Sequence, residues 1–529
     1  MNQLNLRKLQ NGSDIRGIAL PGTAGEEVNL TEEAAFRLTT GFCTWLSRKT
    51  GKAAADLTIS IGHDPRLSAE FLKNAAIRAM TALGTTVLDG GLASTPAMFM
   101  STVFPEYRCD GAIMITASHL PKNRNGFKYF DADGGLNKSD IAEIIALAEE
   151  VPAAGSADPS GDQIHFGQVH LCDLMDTYCR HLQQLIKEGV HAENPGGCRA
   201  AIADHVPMYD RPLAGLSIVI DAGNGAGGFY AEKVLAPLGA DVSASQFLTP
   251  DGNFPNHAPN PEDKEAMQSV SRRVLATGAD LGLIFDTDVD RSAAVDENGR
   301  AIARDGIVAL ASALIARENP KSTVVTDSIT SNALREFLEN TLGLSQLRYK
   351  RGYKNVINKA IELNEQGINC PLAIETSGHA AFKENYFLDD GAYLATKIVI
   401  EAALLAREGK NISCVLRELK EPREVSEVRI PIRTENFADY GKKILDDLAD
   451  FVSSGGENTG MTLTEPNYEG VRIDFSKESG NGWCLLRMSL HDPIMPLNIQ
   501  SDSIGGCQKI TEALRPFLTR FDRLDLSGL

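Results

Sequence analysis

The segment DLGLIFDTDVDRS, residues 280–292, decides how this chain is read. A short apolar run, LGLIF, breaks into three aspartates at alternate positions, Asp286, Asp288 and Asp290. Such a run, bounded by polar residues, reads as a strand buried on both faces with a loop at its carboxyl end. Two other segments repeat the design: GAIMITASH (111–119) and CPLAIETSGH (370–379). Each of the three is preceded, about 50 to 65 residues earlier, by a β-branched run that breaks at an Asp-containing turn and leads into a helical pattern. Those earlier runs are LTISIGHDPR (57–66), LSIVIDAGNG (216–225) and STVVTDSITS (322–331). The expectation is one α/β unit used three times, with mixed or parallel sheets sandwiched by helices and functional loops at the strand ends.

From about residue 424 the pattern changes. VSEVRIPIRTENF, a helical stretch near 437–453, GVRIDFSK, GWCLLRMSL and a terminal helix predict a smaller α+β domain with antiparallel strands. The expected domains are therefore 1–187, 214–318, 319–423 and 424–529. Residues 188–213, rich in turn formers and without a clear period, form an elaborated connection between the first two.

With 529 residues the chain can bury several cores, and no apolar run approaches the roughly 18 residues that span a bilayer. A formal charge of −18 argues against nucleic acid or an anionic membrane as partner, while leaving room for a local basic pocket that takes a small anion. The nine cysteines are scattered and never spaced as CxxC, which predicts reduced thiols. The opening MNQLNLRKLQ lacks the apolar core of a secretory signal. A cytoplasmic protein is expected, or one in an organelle stroma after removal of a transit peptide; nothing in the sequence indicates its oligomeric state.

Three carboxylates packed after a buried strand call for a cation, and a divalent, oxygen-loving metal is the natural one; a solvated acidic turn is the plain alternative. Asp286, Asp288, Asp290 and Glu297 also occupy positions 1, 3, 5 and 12 of an EF-hand loop. That reading fails where Arg291 replaces the turn glycine and where a strand, rather than a helix, precedes the loop. GNGAGG (223–228) satisfies the dinucleotide pattern G-x-G-x-x-G, but Asp241 opens the following strand instead of ending it, so a tight turn explains the glycines better.

The stretch TASHLPKNRNGFKYF (116–130) places Ser118 and His119 where a buried strand ends, either as a surface turn or as a presented nucleophile. In ETSGH (375–379), Glu375 and Ser377 suit vicinal hydroxyls and His379 adds a donor that becomes cationic near neutral pH; a capped turn would look the same. RYKRGYKNVI (348–357) sets four cations around Gly352, as a solvated helix face or as an anion site using Lys350 or Lys354.

Taken in order, these loops resemble the α-D-phosphohexomutase superfamily, the phosphoglucomutases, phosphomannomutases and phosphoglucosamine mutases. NGSDIRG (11–17) is similar to the family's N-terminal motif, TASHLPKNRNGFK to its phosphoserine loop, DTDVDRS to its metal loop and ETSGH to its sugar-specificity loop. IGHDPRLS, DAGNGAGG and DGNFPNHAPNP look like scaffold segments. The resemblance implies three α/β domains and a TATA-box-binding-protein-like domain around a central cleft. It implies that Ser118 passes a phosphoryl group to a hexose phosphate and recovers the other from a hexose 1,6-bisphosphate. Asp286, Asp288 and Asp290 would hold Mg²⁺ together with an oxygen on Ser118. Arg16 and Lys128 would offset charge, His119 or Lys128 would move the proton, and Arg291 would steady the loop or the phosphoserine and meet substrate.

GWCLLRMSLHDPIMPLN (482–498) is similar to the family's terminal phosphate loop at Arg487, Ser489 and Pro493. It departs from it at Leu490, His491 and Asp492, where a small or turn-forming residue is usual and a carboxylate now stands near the anion. The sugar loop favours glucose and mannose phosphates. A phosphoglucosamine mutase, a sugar-bisphosphate synthase on the same scaffold, and a phosphosugar-binding regulator with little turnover are the alternatives.

Overall fold

The computed structural model describes residues 5–22, 25–152, 167–191, 209–455, 460–489 and 492–529. Most of the connection expected at 188–213, and both Leu490 and His491, lie outside the described residues.

The repeated unit is built as its sequence predicts. Thr58–His63 pairs in parallel with Gly111–Ile115, Ile218–Asp221 with Leu281–Phe285, and Thr323–Asp327 with Leu372–Ile374. In each pair the two apolar runs that share the motif lie side by side, so their polar ends emerge at the same sheet edge. The strands Gly111–Ile115 and Leu281–Phe285 are buried at every position. That is why their sequences are continuous rather than alternating: helices cover both faces of the sheet. Each of these two strands then meets an antiparallel neighbour, Arg124–Asp131 and Ser292–Asp296 respectively, which turns its terminal loop into a hairpin connection.

Helix ends follow local chemistry. Glu32–Thr50 starts at Thr31, whose side chain accepts from Ala34 N–H, and stops at Gly51 with φ +72°. Lys264–Thr277 starts at Asp263 and stops at Gly278 in the same left-handed conformation. The C-terminal part is a five-stranded antiparallel sheet. Helices Phe437–Gly455 and Gly506–Leu518 pack on it through Ile444, Leu448 and Val452 and through Ile510, Leu514 and Phe517.

The chain divides into two compact units, Met1–Leu314 with Ser377–Leu416 and Ile315–Thr376 with Arg417–Leu529. The third α/β stretch contributes to both. Its helix Gly391–Arg407 belongs to the first unit, where the Tyr178 hydroxyl donates to both oxygens of its N-cap, Asp390, at 2.7 and 2.8 Å. Arg407 at its other end donates to Val190 O at 2.8 Å. Among the described residues no helix is long and apolar enough to cross a membrane.

Ile113 is fully buried at the centre of the first sheet, within one cluster that joins helix Glu32–Thr50 to the strands. Ile113→Ala should therefore lower unfolding free energy by about 2–5 kcal/mol in urea titration, through lost burial and the cavity left behind. A change below about 0.5 kcal/mol would contradict that placement.

Candidate active site

Ser118 stands three residues beyond Gly111–Ile115, buried and at φ +49°, a left-handed conformation that costs a non-glycine residue energy. Two buried residues hold it there. Arg66 pairs with Asp64 (Nε to Oδ2 3.1 Å) and donates to the carbonyls of Leu120 (2.7 Å), Pro121 (2.9 Å), Arg124 (3.0 Å) and Ser118 itself. The Thr116 hydroxyl donates to Asp64 at 2.7 Å and accepts from Ser118 N–H at 2.9 Å. One fixed guanidinium fork thus ties down four carbonyls of the loop, which a flexible ammonium would not reproduce.

Ser118 Oγ donates to Asp286 Oδ2 at 2.8 Å and accepts from Arg291 Nη2 at 3.1 Å. Arg291, 1% exposed, also reaches the same Asp286 oxygen through Nε and Nη2 at 3.1 and 3.0 Å. Its guanidinium is therefore placed on the serine and the loop rather than on open surface. The aspartate loop turns between the paired strands with Val289 at φ +67°. Asp286, Asp288 and Asp290 are all fully buried, with a ligand oxygen from each within 4.8 Å of the others. Lys128 donates to Asp290 Oδ2 at 2.6 Å, and the Thr95 hydroxyl donates to Asp288. Burial, with Asp290 and Asp288 beside it, pushes the Asp286 carboxyl well above its ordinary range. Against the burial that would raise it, Lys128, His379 and Arg291 hold Asp290 below its ordinary range.

Asp288 Oδ1 and Asp290 Oδ1 are buried without a hydrogen-bond partner. Unsatisfied carboxylate oxygens in a buried, all-oxygen triad fit a hard divalent cation. The flanking elements are strands, so the EF-hand spacing is coincidental; Glu297 instead accepts from Asn298 and Ser413. The glycines of GNGAGG serve packing. A Cβ on Gly225 would lie 2.8 Å from Thr287 O in the aspartate loop, and one on Gly228 only 2.2 Å from Leu248 O.

The remaining residues singled out in the sequence divide between the two units. Arg16 donates to Asp14 at 2.8 Å and to Thr116 O, beside the serine. The exposed His119 places Nδ1 3.4 Å from Ser118 Oγ. The ETSGH loop crosses from one unit to the other. Glu375, in the second, accepts from Gly352 N–H at 2.7 Å. In the first unit, Ser377 Oγ is buried without a partner and His379 Nδ1 meets Asp389 Oδ2 at 2.5 Å. Burial lowers the His379 pKa, but Asp389 and Asp290 outweigh it and raise it to about 9. Lys350 is exposed and Lys354 half-buried at the start of helix Tyr353–Glu365. Arg487 is 8% exposed with Nε unpartnered; Ser489 N–H donates to Ile494 O at 3.0 Å, and its hydroxyl accepts from Asp492 N–H at 3.2 Å.

Arg66, Asp64, Thr95 and Asp389 escaped the sequence reading. IGHDPRLS carries the first two in plain sight as a polar turn after a strand, but their partners are about fifty residues away, and only the parallel pairing of the two strands brings them together.

Residues 7–153, 200–299 and 303–422 match, in order, the phosphoglucomutase/phosphomannomutase α/β/α domains I, II and III. The chain is 28% identical to a phosphomannomutase/phosphoglucomutase of Pseudomonas putida over 482 residues, 90% of this chain and 91% of that one. It is 30% identical to a phosphoglucomutase/phosphomannomutase of Thermococcus kodakarensis over 486 residues, 91% and 93% of the two chains. A Burkholderia thailandensis structure described as a phosphoglucomutase/phosphomannomutase family protein shares the fold with a TM-score of 0.73 at 24% identity, covering 96% of each chain.

Removing one charge from the triad should weaken a divalent cation strongly, because neighbouring carboxylates in a buried site are poorly screened. Asp288→Asn should reduce Mg²⁺ affinity by at least about tenfold in calorimetry. In thermal melts it should also abolish the stabilisation by Mg²⁺ expected of the unaltered protein. Equal affinity in the two proteins would rule out the triad as the metal site.

Proposed function

This chain belongs to the phosphoglucomutase/phosphomannomutase family, and from that membership we propose that it interconverts the 1- and 6-phosphates of glucose and mannose through a phosphoserine at Ser118. The observation that carries the proposal is the convergence on one serine hydroxyl of Asp286, from the aspartate triad, and the buried guanidinium of Arg291. Asp286, Asp288 and Asp290 would hold Mg²⁺, which when bound neutralises charge on the phosphoryl oxygens.

The chain's own groups supply the rest. Ser118, held in a strained turn by Arg66, presents Oγ in one orientation. As the Oγ–phosphorus bond breaks, a bond forms from phosphorus to the free hydroxyl of a hexose monophosphate, giving a hexose 1,6-bisphosphate. The hydroxyl proton goes to His119, whose Nδ1 lies near Ser118 Oγ, and passes from there to the departing Ser118 oxygen. Lys128 is less suited to accept it, because its ion pair with Asp290 favours the ammonium form. After the bisphosphate reorients, the other phosphoryl group returns to Ser118 and the proton returns to the released hydroxyl. Arg291 and Arg16 stabilise the charge of the transferring group.

Glu375, Ser377 and His379 would read the sugar hydroxyls. Arg487 and Ser489, with Lys350 and Lys354, would receive the phosphate that does not react. The names of the relatives, phosphomannomutase/phosphoglucomutase, support glucose and mannose phosphates over the amino sugar.

The test is a panel of glucose, mannose and glucosamine 1-phosphates with Mg²⁺ and a catalytic amount of hexose 1,6-bisphosphate. Glucose and mannose 1-phosphates should turn over, and Ser118→Ala should lower kcat by more than about a thousandfold. Undiminished isomerisation in the alanine variant would eliminate the phosphoserine route. Binding without turnover in the unaltered protein would point to a phosphosugar-binding regulator. Arg66→Lys should lower kcat more than it raises KM, because it loosens the serine and leaves the sugar contacts in place.

A further inference from the structure

Within the second unit, two donors that suit an oxyanion meet on a carboxylate of the protein itself, and the backbone of a buried arginine runs beside that carboxylate's neighbour. Glu469 Oε2 accepts from the backbone N–H of Arg351 at 3.1 Å and from the Ser328 hydroxyl. Arg351 and Gly352 lead into helix Tyr353–Glu365, with Gly352 at φ +109°. The next N–H, that of Gly352, donates to Glu375. Glu469 is followed by Gly470, whose backbone runs against Arg487 so closely that a Cβ there would fall 2.8 Å from Arg487 Cβ. Burial lowers the Arg487 pKa; of the charges acting on it, Glu469 raises it and Arg351 lowers it further. Arg487 itself is poorly satisfied: Nε has no hydrogen-bond partner, and Nη1 reaches Met488 O only at 3.5 Å.

A hydroxyl, a backbone N–H before a helix and a guanidinium form the kind of donor set that recognises a phosphate monoester. We propose that Glu469 is a built-in competitor for that ground: its carboxylate occupies donors that the substrate's non-reacting phosphate would use, and the phosphate enters by displacing it. Glu469 is then an affinity- and specificity-determining residue. The inference rests on the reading that the 487–489 loop receives this phosphate.

The link from Glu469 to the Ser328 segment is not needed to hold that segment, because other contacts already join it to the strand that follows Glu469. Arg472 donates to Ser328 O at 3.0 Å and to Asn332 Oδ1 at 3.2 Å, with its guanidinium 3.7 Å from the Trp483 ring centroid. Asn332 in turn donates to Asp474 at 2.7 Å. Half-buried Glu469 adds a negative charge where the proposed ligand is itself an anion.

The test titrates inorganic phosphate into the full-length unaltered protein and into Glu469→Gln, by calorimetry. Glutamine keeps one oxygen that can accept from Arg351 N–H and Ser328, removes the charge and turns the other oxygen into an NH₂ donor. Phosphate should bind Glu469→Gln on the order of tenfold more tightly, and KM for glucose 1-phosphate should fall in parallel. Unchanged or weaker phosphate binding by folded Glu469→Gln overturns the inference. Should the variant not fold, hydrogen exchange on the unaltered protein decides: phosphate should speed exchange across residues 466–470, and unchanged or slower exchange there overturns it. Calorimetry needs no turnover. Tighter phosphate binding by the variant, with no mutase activity in the unaltered protein, would leave the inference standing and remove the proposed reaction; activity without tighter binding would do the reverse.

Discussion

Three carboxylates that must stay buried and close together are the constraint on which the first unit's site depends. Left alone they repel one another, and the repulsion is strong because little water screens it. Lys128 and Arg291 offset part of the charge, and among the described residues Asp288 Oδ1 and Asp290 Oδ1 have no hydrogen-bond partner. The same excess of negative charge that demands a cation also draws in the Ser118 hydroxyl and the arginine beside it. A serine at the end of one domain's strand is thereby tied to an aspartate at the end of another's, and the paired parallel strands behind each loop keep the tie in register.

Two of the chain's left-handed non-glycine residues stand where chemistry is proposed: Ser118 in the serine loop and Val289 in the aspartate loop. In the serine loop a single buried guanidinium, that of Arg66, donates to four carbonyls. The cost of the turn is offset by that network and by the Asp64–Thr116 contact, which also satisfies the serine's own N–H.

The second unit solves a different problem. Backbone N–H groups ahead of a helix must find acceptors from elsewhere in the chain. Glu375 and Glu469 meet this need with carboxylates on the two successive N–H groups that precede helix Tyr353–Glu365. Among the described residues there, Arg487 Nε is buried without a hydrogen-bond partner, as are Arg348 Nη1 and Arg472 Nε.

Much of this was legible in the chain before any coordinates. Apolar runs ending in TASH, DTDVD and ETSGH mark buried strands with polar loops at their ends, because a strand covered on both faces must be apolar throughout and can carry polar chemistry only where it stops. The density of aspartates at 286, 288 and 290 implies a cation from electrostatics alone. What the sequence could not disclose is which distant residues support those loops. Arg66 on the serine loop, Thr95 on Asp288, Asp389 on His379 and Glu469 on Arg351 are each an ordinary polar residue in its own neighbourhood. The ETSGH motif, one continuous signal in the sequence, is shared between two packing units, with Glu375 in one and His379 in the other. Local pattern determines what a segment can form; the partners of a buried charge are decided by which segments the sheets and helices bring together, and that is a property of the tertiary structure alone.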